Sequence, residues 1–276
     1  MTIRRFATRA ARHCHAERYR ERVATSYDAA FFAAQADGSR RSADRIVPLV
    51  IDAVSPRSVI DVGCGVGTWL AAFQAAGVED LHGIDGAYVD RAQLQIPASA
   101  FEPADLRQPL TVTRRFDLAV SLEVAEHLPP ARGASFVADL ATLAPVVLFS
   151  AAIPEQTGTD HIGPRWQDEW AALFARHGLR PVDVVRPRVW DDDNVEWWYA
   201  QNTLLYVPHD HPLHAHNLPL RLVHPRLFQG IVEAAQHSEP KTFRQLVPEV
   251  YGAAIMSAKW HIARRHRREP RPTDSN

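Results

Sequence analysis

Long apolar runs and cysteines are both scarce in this sequence. Hydrophobic residues make up 46% of the 276 positions, yet no stretch approaches the roughly 20 consecutive apolar residues of a membrane helix. We therefore expect a globular chain without a membrane span. The two cysteines, Cys14 and Cys64, allow at most one disulfide, and Cys64 lies in a glycine-rich turn where a bridge would obstruct a ligand. This favours a reducing, cytoplasmic location.

An excess of charge of either sign is also lacking, because 31 basic and 32 acidic side chains leave a formal net charge of -1. A chain with this balance has no overall field that attracts nucleic acid, and we expect no nucleic-acid partner. Arginines nevertheless crowd at both ends of the chain. Residues 1–26 are interpreted as an exposed basic arm, with a mitochondrial transit peptide as the alternative, and the last arginines as part of a solvated tail.

Short apolar segments rich in β-branched residues alternate with segments of helix length. Gly77 and Gly178 follow two of the helix-length segments as C-terminal stops. The alternation predicts an α/β fold with a doubly wound, mostly parallel sheet. The last two strands have no helix-length crossover between them, which predicts an antiparallel strand near the sheet edge. The predicted strands are residues 58–62, 81–84, 117–122, 146–151, 181–185 and 203–207, and the predicted helices are 68–76, 131–143 and 166–177.

Segments on either side of this alternation are also predicted to be helical. Residues 42–54 place apolar side chains on one helical face, with Ser42 as a candidate N-cap and Pro48 near the first turn. Helical patterns return late in the chain, over residues 227–236 and 243–262. We therefore predict three parts, and the last of them is a candidate surface for forming a homo-oligomer. The parts are a basic N-terminal arm (1–26), the α/β domain (27–207) and a C-terminal helical extension with a basic tail (208–276).

The segment Ser-Val-Ile-Asp-Val-Gly-Cys-Gly-Val-Gly-Thr, residues 58–68, joins a buried strand to a helix through three glycines. Glycine lets the backbone approach a ligand closely, and the following helix presents unpaired N–H groups to the polar atoms of that ligand. Asp61 can meet the cationic amino group of a bound amino acid. Dinucleotide sites instead carry a glycine at the sixth place of G-x-G-x-x-G, where this sequence has Thr68.

Residues 61–67 resemble the first signature of class I S-adenosylmethionine-dependent methyltransferases, D-x-G-x-G-x-G, and the resemblance extends over residues 27–207. It implies a Rossmann-like, seven-stranded sheet and S-adenosylmethionine as the cofactor. Asp85, 24 residues after Asp61, fits the acid that holds the ribose hydroxyls in that family. Asp105, in Ala-Asp-Leu, fits the acid that contacts the adenine amine. The residues that the resemblance assigns to the cofactor are Asp61, Gly63, Cys64, Gly65, Gly67, Asp85, Asp105, Leu106 and Leu122.

The segment Ser-Leu-Glu-Val-Ala-Glu-His-Leu-Pro, residues 121–129, follows the fourth strand at the edge where an open sheet binds its substrate. If Glu123, Glu126 and His127 share one helical turn, their side chains point the same way. The segment resembles the E-x-x-E-H motif of magnesium-assisted methyltransferases, including small-RNA 2′-O-methyltransferases and ubiquinone-pathway O-methyltransferases. His161 follows the fifth strand, where a further histidine ligand would come.

This resemblance implies a metal site made of Glu123, Glu126, His127 and His161. Mg²⁺ is the implied ion, although two carboxylates with imidazole suit Mn²⁺ or Fe²⁺ equally. Without a metal, the candidate catalytic residues are His127, His161 and Glu126, and either histidine can act as the general base near neutral pH. The alternative for each histidine is a hydrogen bond that orders a loop.

Aromatic side chains are candidates for the walls of the acceptor pocket, although Trp166 and Trp170 are four apart and would also suit a helix face that covers the sheet. The stretch 195–202 resembles a segment of bacterial methyltransferases of uncharacterised or glycan-related context. Upstream, Tyr27, Ser39 and Arg41 lie in a segment that resembles the lid over cofactor and acceptor in related enzymes. The aromatic set is Trp166, Trp170, Trp190, Trp197, Trp198 and Tyr199.

The sequence therefore predicts an S-adenosylmethionine-dependent methyltransferase that modifies a hydroxyl, or with less support an amine, of a polar small molecule such as a sugar or natural product. An RNA methyltransferase is the nearest alternative, but it should carry basic residues beside the pocket, whereas the arginines here gather at the chain ends. A nicotinamide-dependent oxidoreductase is disfavoured by Thr68 and by the lack of a Tyr-x-x-x-Lys pair. A non-catalytic scaffold that binds the cofactor is the remaining alternative.

Overall fold

The structure is a computed structural model that describes residues 29–156, 158, 160–213 and 219–237. Its centre is a seven-stranded sheet in the order β3-β2-β1-β4-β5-β7-β6, in which β7 is antiparallel to both of its neighbours. The predicted doubly wound, mostly parallel sheet is confirmed. The strands are β1 (Ser58–Val62), β2 (Asp80–Asp85), β3 (Phe101–Pro103), β4 (Leu118–Leu122), β5 (Val146–Ser150), β6 (Leu179–Val182) and β7 (Leu204–Pro208).

Helices cover both faces of the sheet. The described helices are α1 (Ala29–Val54), α2 (Thr68–Ala75), α3 (Gly133–Leu143), α4 (Gln167–Ala175), α5 (Arg186–Val189), α6 (Trp197–Asn202) and α7 (Pro225–His237). Two separate apolar clusters fill the space between helices and sheet, one containing Val59 and Leu70 and the other containing Ile60 and Phe136. Adjacent residues of β1 thus enter opposite clusters, which explains why the strand reads as a continuous apolar run.

Strand order reverses next to β1, and this reversal positions the site. β1 pairs in parallel with β2 on one side and with β4 on the other, so the chain leaves the carboxyl ends of β1 and β4 in opposite directions. A crevice forms at such a switch point in open α/β sheets and is where they bind ligands. The glycine-rich turn follows β1 and the segment around Glu123 follows β4, so both candidate sites lie at this edge.

The first helix is longer than predicted, and Ser42 is not its N-cap. The prediction placed the start at residue 42, but α1 runs from Ala29 and contains Pro48 in its interior. Ser42 Oγ donates to the carbonyl oxygen of Gly38 at 2.7 Å and accepts from the backbone N–H of Glu196 at 3.0 Å. A hydroxyl that back-bonds four residues upstream is typical of a helix interior, so its polarity does not mark a helix start here.

The strand predicted at residues 181–185 also lies earlier in the structure, as β6. Pro181 interrupts the apolar pattern, and the prediction took it as the beginning of the strand. In the structure Pro181 sits inside β6, opposite Tyr206, on the outermost strand of the sheet. Proline is tolerated on an edge strand because its missing N–H costs no ladder hydrogen bond when that side faces away from the sheet.

The chain divides into two compact units between Phe228 and Gln229. Of the second unit the structure describes residues 229–237, which continue α7, so the helix predicted at 227–236 is confirmed. The predicted boundaries at residues 26 and 207 remain predictions, as does the homo-oligomer. The basic arm, Tyr27, the helix predicted at 243–262 and the basic tail lie outside the described residues. Among the described helices none has the length and apolar character needed to cross a membrane.

Candidate cofactor and acceptor site

The turn after β1, residues 61–67 and hereafter the glycine turn, depends on three glycines with left-handed backbone. Gly63, Gly65 and Gly67 have φ values of 90°, 54° and 84°, which residues other than glycine rarely adopt. A Cβ on Gly63 would lie 2.3 Å from a methyl group of Val124, in the segment that follows β4. The glycine turn therefore packs directly against the loop that carries the other candidate site.

Two buried acids lie beside the glycine turn. Asp61 ends β1 with 2% of its surface exposed, and Asp85 ends the neighbouring β2 with 5% exposed. Burial raises the pKa of both carboxyl groups, and the charge of Asp85 raises that of Asp61 further. Two acids with this geometry offer strong hydrogen-bond acceptors to a ligand that carries cationic and hydroxyl groups.

Asp85 already has several hydrogen-bond donors. Its Oδ2 accepts from the backbone N–H of Gly65 at 2.7 Å, and its Oδ1 accepts from the backbone N–H of Gly86 at 2.6 Å and from the hydroxyl of Tyr88. These bonds lower the pKa of Asp85 and oppose the larger effect of burial. They also fix the carboxylate relative to the glycine turn.

The remaining residues that were predicted to bind the cofactor lie at or after the ends of β1, β3 and β4. Asp105 comes two residues after β3, and its carboxylate pairs with the Arg107 guanidinium at 2.7 and 2.6 Å. The carbonyl oxygen of Leu106 accepts from the buried Arg132, which holds this loop in place. Leu122 is buried at the end of β4, and Cys64 is buried within the glycine turn. Burial raises the pKa of the Cys64 thiol, so that thiol is not an activated nucleophile.

At the end of β4 the backbone bends sharply at Glu123. This residue has a φ of 55°, and its N–H donates to the carbonyl and hydroxyl oxygens of Ser150 at 3.0 and 3.1 Å. A short 3-10 turn, Ala125–His127, follows. Glu123, Glu126 and His127 therefore do not share one helical turn, because a left-handed residue cannot continue into a right-handed helix.

Glu126, His127 and His161 come together nonetheless, and we call them the carboxylate–histidine cluster. One ligand atom from each lies within 4.8 Å of the others, and the two imidazole ring centres are 4.9 Å apart. The backbone N–H groups of Ile162 and Gly163 donate to the carbonyl oxygen of Glu126 at 2.9 and 2.8 Å, which ties the His161 loop to the end of β4.

The carboxyl group of Glu126 is fully buried, and neither of its oxygens makes a hydrogen bond of normal geometry with the described residues. Burial, followed by the charge of Glu123, raises its pKa well above the ordinary value, although the backbone N–H groups of Glu126 and Ala152 lower it. Buried carboxylates without a donor are rare in proteins, because each unsatisfied polar atom costs about 1–3 kcal/mol. This side chain therefore suits a ligand that the protein itself does not supply.

His161 has a defined tautomer. Its Nδ1 lies 2.9 Å from the carbonyl oxygen of Gln156 and must donate the hydrogen, because a carbonyl can only accept. Partial burial lowers the pKa of His161, which favours the neutral ring. The lone pair then resides on Nε2, which faces Gly158 so closely that a Cβ there would lie 2.3 Å from it.

Sequence reasoning missed a set of buried amides behind Glu123, here named the amide cluster: Gln156, Gln167, Gln201 and Asn202. Gln156 donates to Glu123 Oε2 at 2.9 Å and Asn202 donates to Glu123 Oε1 at 3.2 Å. Gln201 bridges Gln156 and Asn202 at 3.0 Å each, and Gln167 reaches Asn202 at 3.4 Å. Both oxygens of Glu123 therefore already accept hydrogen bonds, unlike those of Glu126.

The amide cluster also bears on the ionisation of Glu123. Burial raises the pKa of Glu123 to about 7, although hydrogen bonds from Ser150, Asn202, Gln156 and Glu126 lower it. A protonated Glu126 can donate to Glu123, so the two carboxyl groups can share a proton. Of the four residues predicted to bind a metal, the structure thus brings three together in the carboxylate–histidine cluster. The fourth, Glu123, has its carboxylate oxygens bonded to the amide cluster.

The aromatic residues separate into two groups. Trp170 packs in the core, 5.2 Å from the Phe149 ring, as expected for a helix that covers the sheet. Tyr199 lies between Trp69 at the start of α2 and Ser39 of α1. Its ring centre is 5.1 Å from that of Trp69, and its hydroxyl oxygen is 3.3 Å from that of Ser39. Burial raises the pKa of Tyr199 to about 12, and the charge of Glu123 adds to this effect.

Arg41 pairs with Glu196 at 3.1 Å and thereby holds α1 against α6.

Comparisons with known proteins identify the family and the fold of this chain. Residues 17–202 match the model of a protein family described as a methyltransferase domain. Among solved structures, the sugar N-methyltransferase KedS8 from Streptoalloteichus superposes with a TM-score of 0.51 at 16% identity, covering 65% of this chain and 92% of that one. This likeness supports the fold described above.

Two further structures are similar to a smaller degree. DesVI from Streptomyces venezuelae gives a TM-score of 0.49 at 18% identity, covering 64% of this chain and 95% of that chain. The magnesium protoporphyrin IX methyltransferase from Synechocystis, with S-adenosylhomocysteine bound, gives 0.46 at 20% identity, covering 62% and 84%. A search of curated proteins found no match.

Proposed function

The chain belongs to the class I S-adenosylmethionine-dependent methyltransferases, and we propose that it transfers the methyl group to a hydroxyl of a polar small molecule. Family membership sets aside the nicotinamide-dependent oxidoreductase and the non-catalytic scaffold that the sequence left open. In the proposed arrangement the glycine turn, Asp61 and Asp85 hold the cofactor, with Asp105 beside the adenine. The acceptor lies between that cofactor and the carboxylate–histidine cluster.

The observation that carries the proposal is the hydrogen bond between His161 Nδ1 and the carbonyl oxygen of Gln156, which leaves the lone pair of the neutral ring on Nε2. A hydroxyl group is a poor nucleophile until it loses its proton, so methylation of oxygen needs a proton acceptor in contact with the acceptor group. The hydrogen bond from Nδ1 to Gln156 keeps the proton away from Nε2, and the lowered pKa keeps the ring neutral near pH 7. His161 is therefore the base we propose, and His127 packs against it.

A divalent cation is a second candidate for the cluster, and the residues present fit one. The fully buried carboxylate of Glu126 makes no hydrogen bond of normal geometry with the described residues, and His127 and His161 bring nitrogen ligands within 4.8 Å of it. One carboxylate with two imidazoles suits Mn²⁺ or Fe²⁺ by ligand type, while Mg²⁺ prefers oxygen ligands. A bound cation would lower the pKa of an acceptor hydroxyl. Glu123 would then act indirectly, since its own oxygens bind the amide cluster.

Acceptor class can be tested with S-adenosylmethionine that carries a labelled methyl group. The panel contains neutral sugars, phenols, amino sugars and RNA oligonucleotides; amino sugars are included because one structural neighbour is a sugar N-methyltransferase. We expect the label on oxygen of a small molecule, located by NMR of the product. Label found on nitrogen or RNA alone would overturn the proposal.

The role of His161 can be separated from cofactor binding. We expect His161→Ala to lower turnover of the identified acceptor by about 10²–10⁴, the usual contribution of a general base, with S-adenosylhomocysteine affinity unchanged. The matched control is His177→Ala, because His177 is an exposed histidine beyond the end of α4. Equal turnover in both variants would remove His161 from the mechanism.

The metal candidate needs no acceptor for its test. Calorimetric titration of the protein with Mn²⁺ should give one site that is lost in Glu126→Gln and His161→Ala and kept in His177→Ala. If wild-type protein takes up no Mn²⁺, the cluster works without a metal, and His161 remains the proposed base.

A further inference from the structure

The side chain of Tyr88 occupies a hydrogen-bonding position on Asp85. Its hydroxyl donates to Asp85 Oδ1, the oxygen that also accepts from the backbone N–H of Gly86. The residue is 38% exposed, so the ring lies at the surface while its hydroxyl reaches inward to a carboxyl group that is 5% exposed. A phenol that turns back three residues onto a buried acid is a specific arrangement.

Gly86 makes room for this conformation. A Cβ at position 86 would lie 2.1 Å from Cε1 of Tyr88, so the aromatic ring rests directly on the glycine backbone. Gly86 is not among the glycines with positive φ, so a side chain at this position would conflict with the Tyr88 ring and not with the backbone conformation. The segment Asp85-Gly86-Ala87-Tyr88 is therefore shaped for a ring above residue 86.

The number of acceptor positions on Asp85 then becomes limiting. A carboxylate offers about four lone-pair positions, and in the described part of the chain Gly65, Gly86 and Tyr88 fill three of them. A ribose that presents two hydroxyls needs two positions. The N–H groups of Gly65 and Gly86 belong to backbone fixed by the glycine turn and by β2, whereas the phenol can rotate away.

We infer that Tyr88 holds the place of a ribose hydroxyl on Asp85 and is displaced when the cofactor binds. This inference rests on the proposed role of Asp85 in holding the ribose. The hydroxyl keeps the buried carboxylate satisfied in the empty protein, and its hydrogen bond must be broken before the cofactor can make its own. Tyr88 thereby weakens cofactor affinity and favours release of the product S-adenosylhomocysteine.

Calorimetric titration with S-adenosylhomocysteine tests the inference on the full chain. Tyr88→Phe keeps the ring and removes only the hydroxyl, so we expect binding about three- to tenfold tighter than in wild type, which is the net contribution of one ordinary hydrogen bond. Unchanged or weaker binding would overturn the inference, and weaker binding would assign the hydroxyl a direct contact with the cofactor.

Two controls distinguish this outcome from failure of the proposed site. Adenosine should gain affinity in Tyr88→Phe, and 2′,3′-dideoxyadenosine, which lacks both ribose hydroxyls, should not. Equal gains for both nucleosides would place the effect on the ring and contradict displacement from Asp85. If Asp85→Ala leaves S-adenosylhomocysteine binding intact, the assignment of Asp85 to the ribose fails first.

Discussion

The glycine turn and the carboxylate–histidine cluster lie at the same edge of the sheet, yet their buried acids are treated in opposite ways. Asp85, beside the glycine turn, accepts from two backbone N–H groups and a phenol. Glu126, in the cluster, is equally buried, and neither of its oxygens makes a hydrogen bond of normal geometry with the described residues. In the first region the protein's own donors satisfy the buried acid. In the second region the buried acid is left to interact with the methyl acceptor or with a cation.

This difference teaches how the two halves of the reaction are divided. A site whose polar atoms are already satisfied can exist without its ligand at little cost in stability, which suits a cofactor that enters and leaves at every turnover. A buried carboxyl group without such donors is costly to ionise until a ligand arrives. Substitutions in the two regions should therefore separate binding of the cofactor from stability and turnover.

The largest effect is expected for Asp85→Ala. The substitution removes the proposed partner of the ribose and the acceptor of two backbone N–H groups, so S-adenosylhomocysteine should bind about 100-fold more weakly, the equivalent of one or two hydrogen bonds to a charged group. Calorimetry measures the loss. Asp80→Ala, at the other end of β2 in an exposed pair with Arg114, serves as control. Binding within twofold of wild type would contradict the proposed role.

Asn202→Leu should have the opposite result, a loss of stability with cofactor affinity kept. Asn202 connects Glu123, Gln156, Gln201 and Gln167, and an apolar side chain of similar size would strand their polar atoms. We expect a loss of about 2–4 kcal/mol in the free energy of unfolding, since each stranded buried group costs about 1–3 kcal/mol. Affinity for S-adenosylhomocysteine should stay within twofold.

Denaturant unfolding and calorimetry on the same protein measure both quantities. Asn194→Leu is the matched control, because Asn194 is exposed and bonds only with Asp192 among the contacts resolved in the described chain. If Asn202→Leu weakened cofactor binding as strongly as Asp85→Ala, the two regions would not be separable.

The two regions also differ in how far the sequence predicts them. The glycine turn is continuous in the chain, because β1, three glycines and the start of α2 follow one another, and the register of β1 with β2 brings Asp85 beside it. Local backbone chemistry is enough to predict such a motif. The approximate positions of Glu126, His127 and His161 followed from strand order, since they come directly after β4 and β5.

The amide cluster could not be predicted in this way. Gln156 follows β5, while Gln201 and Asn202 end α6, and their meeting depends on β7 entering the sheet between β5 and β6. Glutamine and asparagine are ordinary surface residues by composition, so nothing local marks them as buried. The left-handed backbone of Glu123 also depends on a tertiary contact, with Ser150.

Asp61→Asn gives a smaller effect with a defined dependence on pH. Burial, then Asp85, raises the folded pKa of Asp61 above its unfolded value, so the folded protein holds this proton longer than the unfolded chain. The stability that Asp61 contributes is therefore present below the unfolded pKa and is lost as pH rises through the folded pKa. Asparagine cannot ionise and escapes this loss.

We expect Asp61→Asn to have a larger free energy of unfolding than wild type at pH 8, and the difference to shrink toward pH 4, because only the wild-type carboxyl group ionises as pH rises. Denaturant titrations across this range measure it, with the exposed Asp44→Asn as control. The variant should bind S-adenosylhomocysteine more weakly despite its higher stability. A variant less stable than wild type at every pH would show that the ionised carboxylate supports the fold.

The smallest change in stability is expected for Gly158→Ala, which acts on the position of one ring. The new Cβ at residue 158 would lie 2.3 Å from Nε2 of His161. Because the imidazole is the movable end of a side chain, the ring should rotate away, which lowers the free energy of unfolding by about 0.5 kcal/mol. Rotation breaks the bond from Nδ1 to Gln156 and with it the single tautomer. Nitrogen NMR of the imidazole should report one tautomer in wild type and a mixture in the variant, with Mn²⁺ uptake or turnover reduced and S-adenosylhomocysteine binding kept. A single tautomer in the variant would mean that Gln156 does not set it, and the base in the proposed reaction would then need another means of orientation.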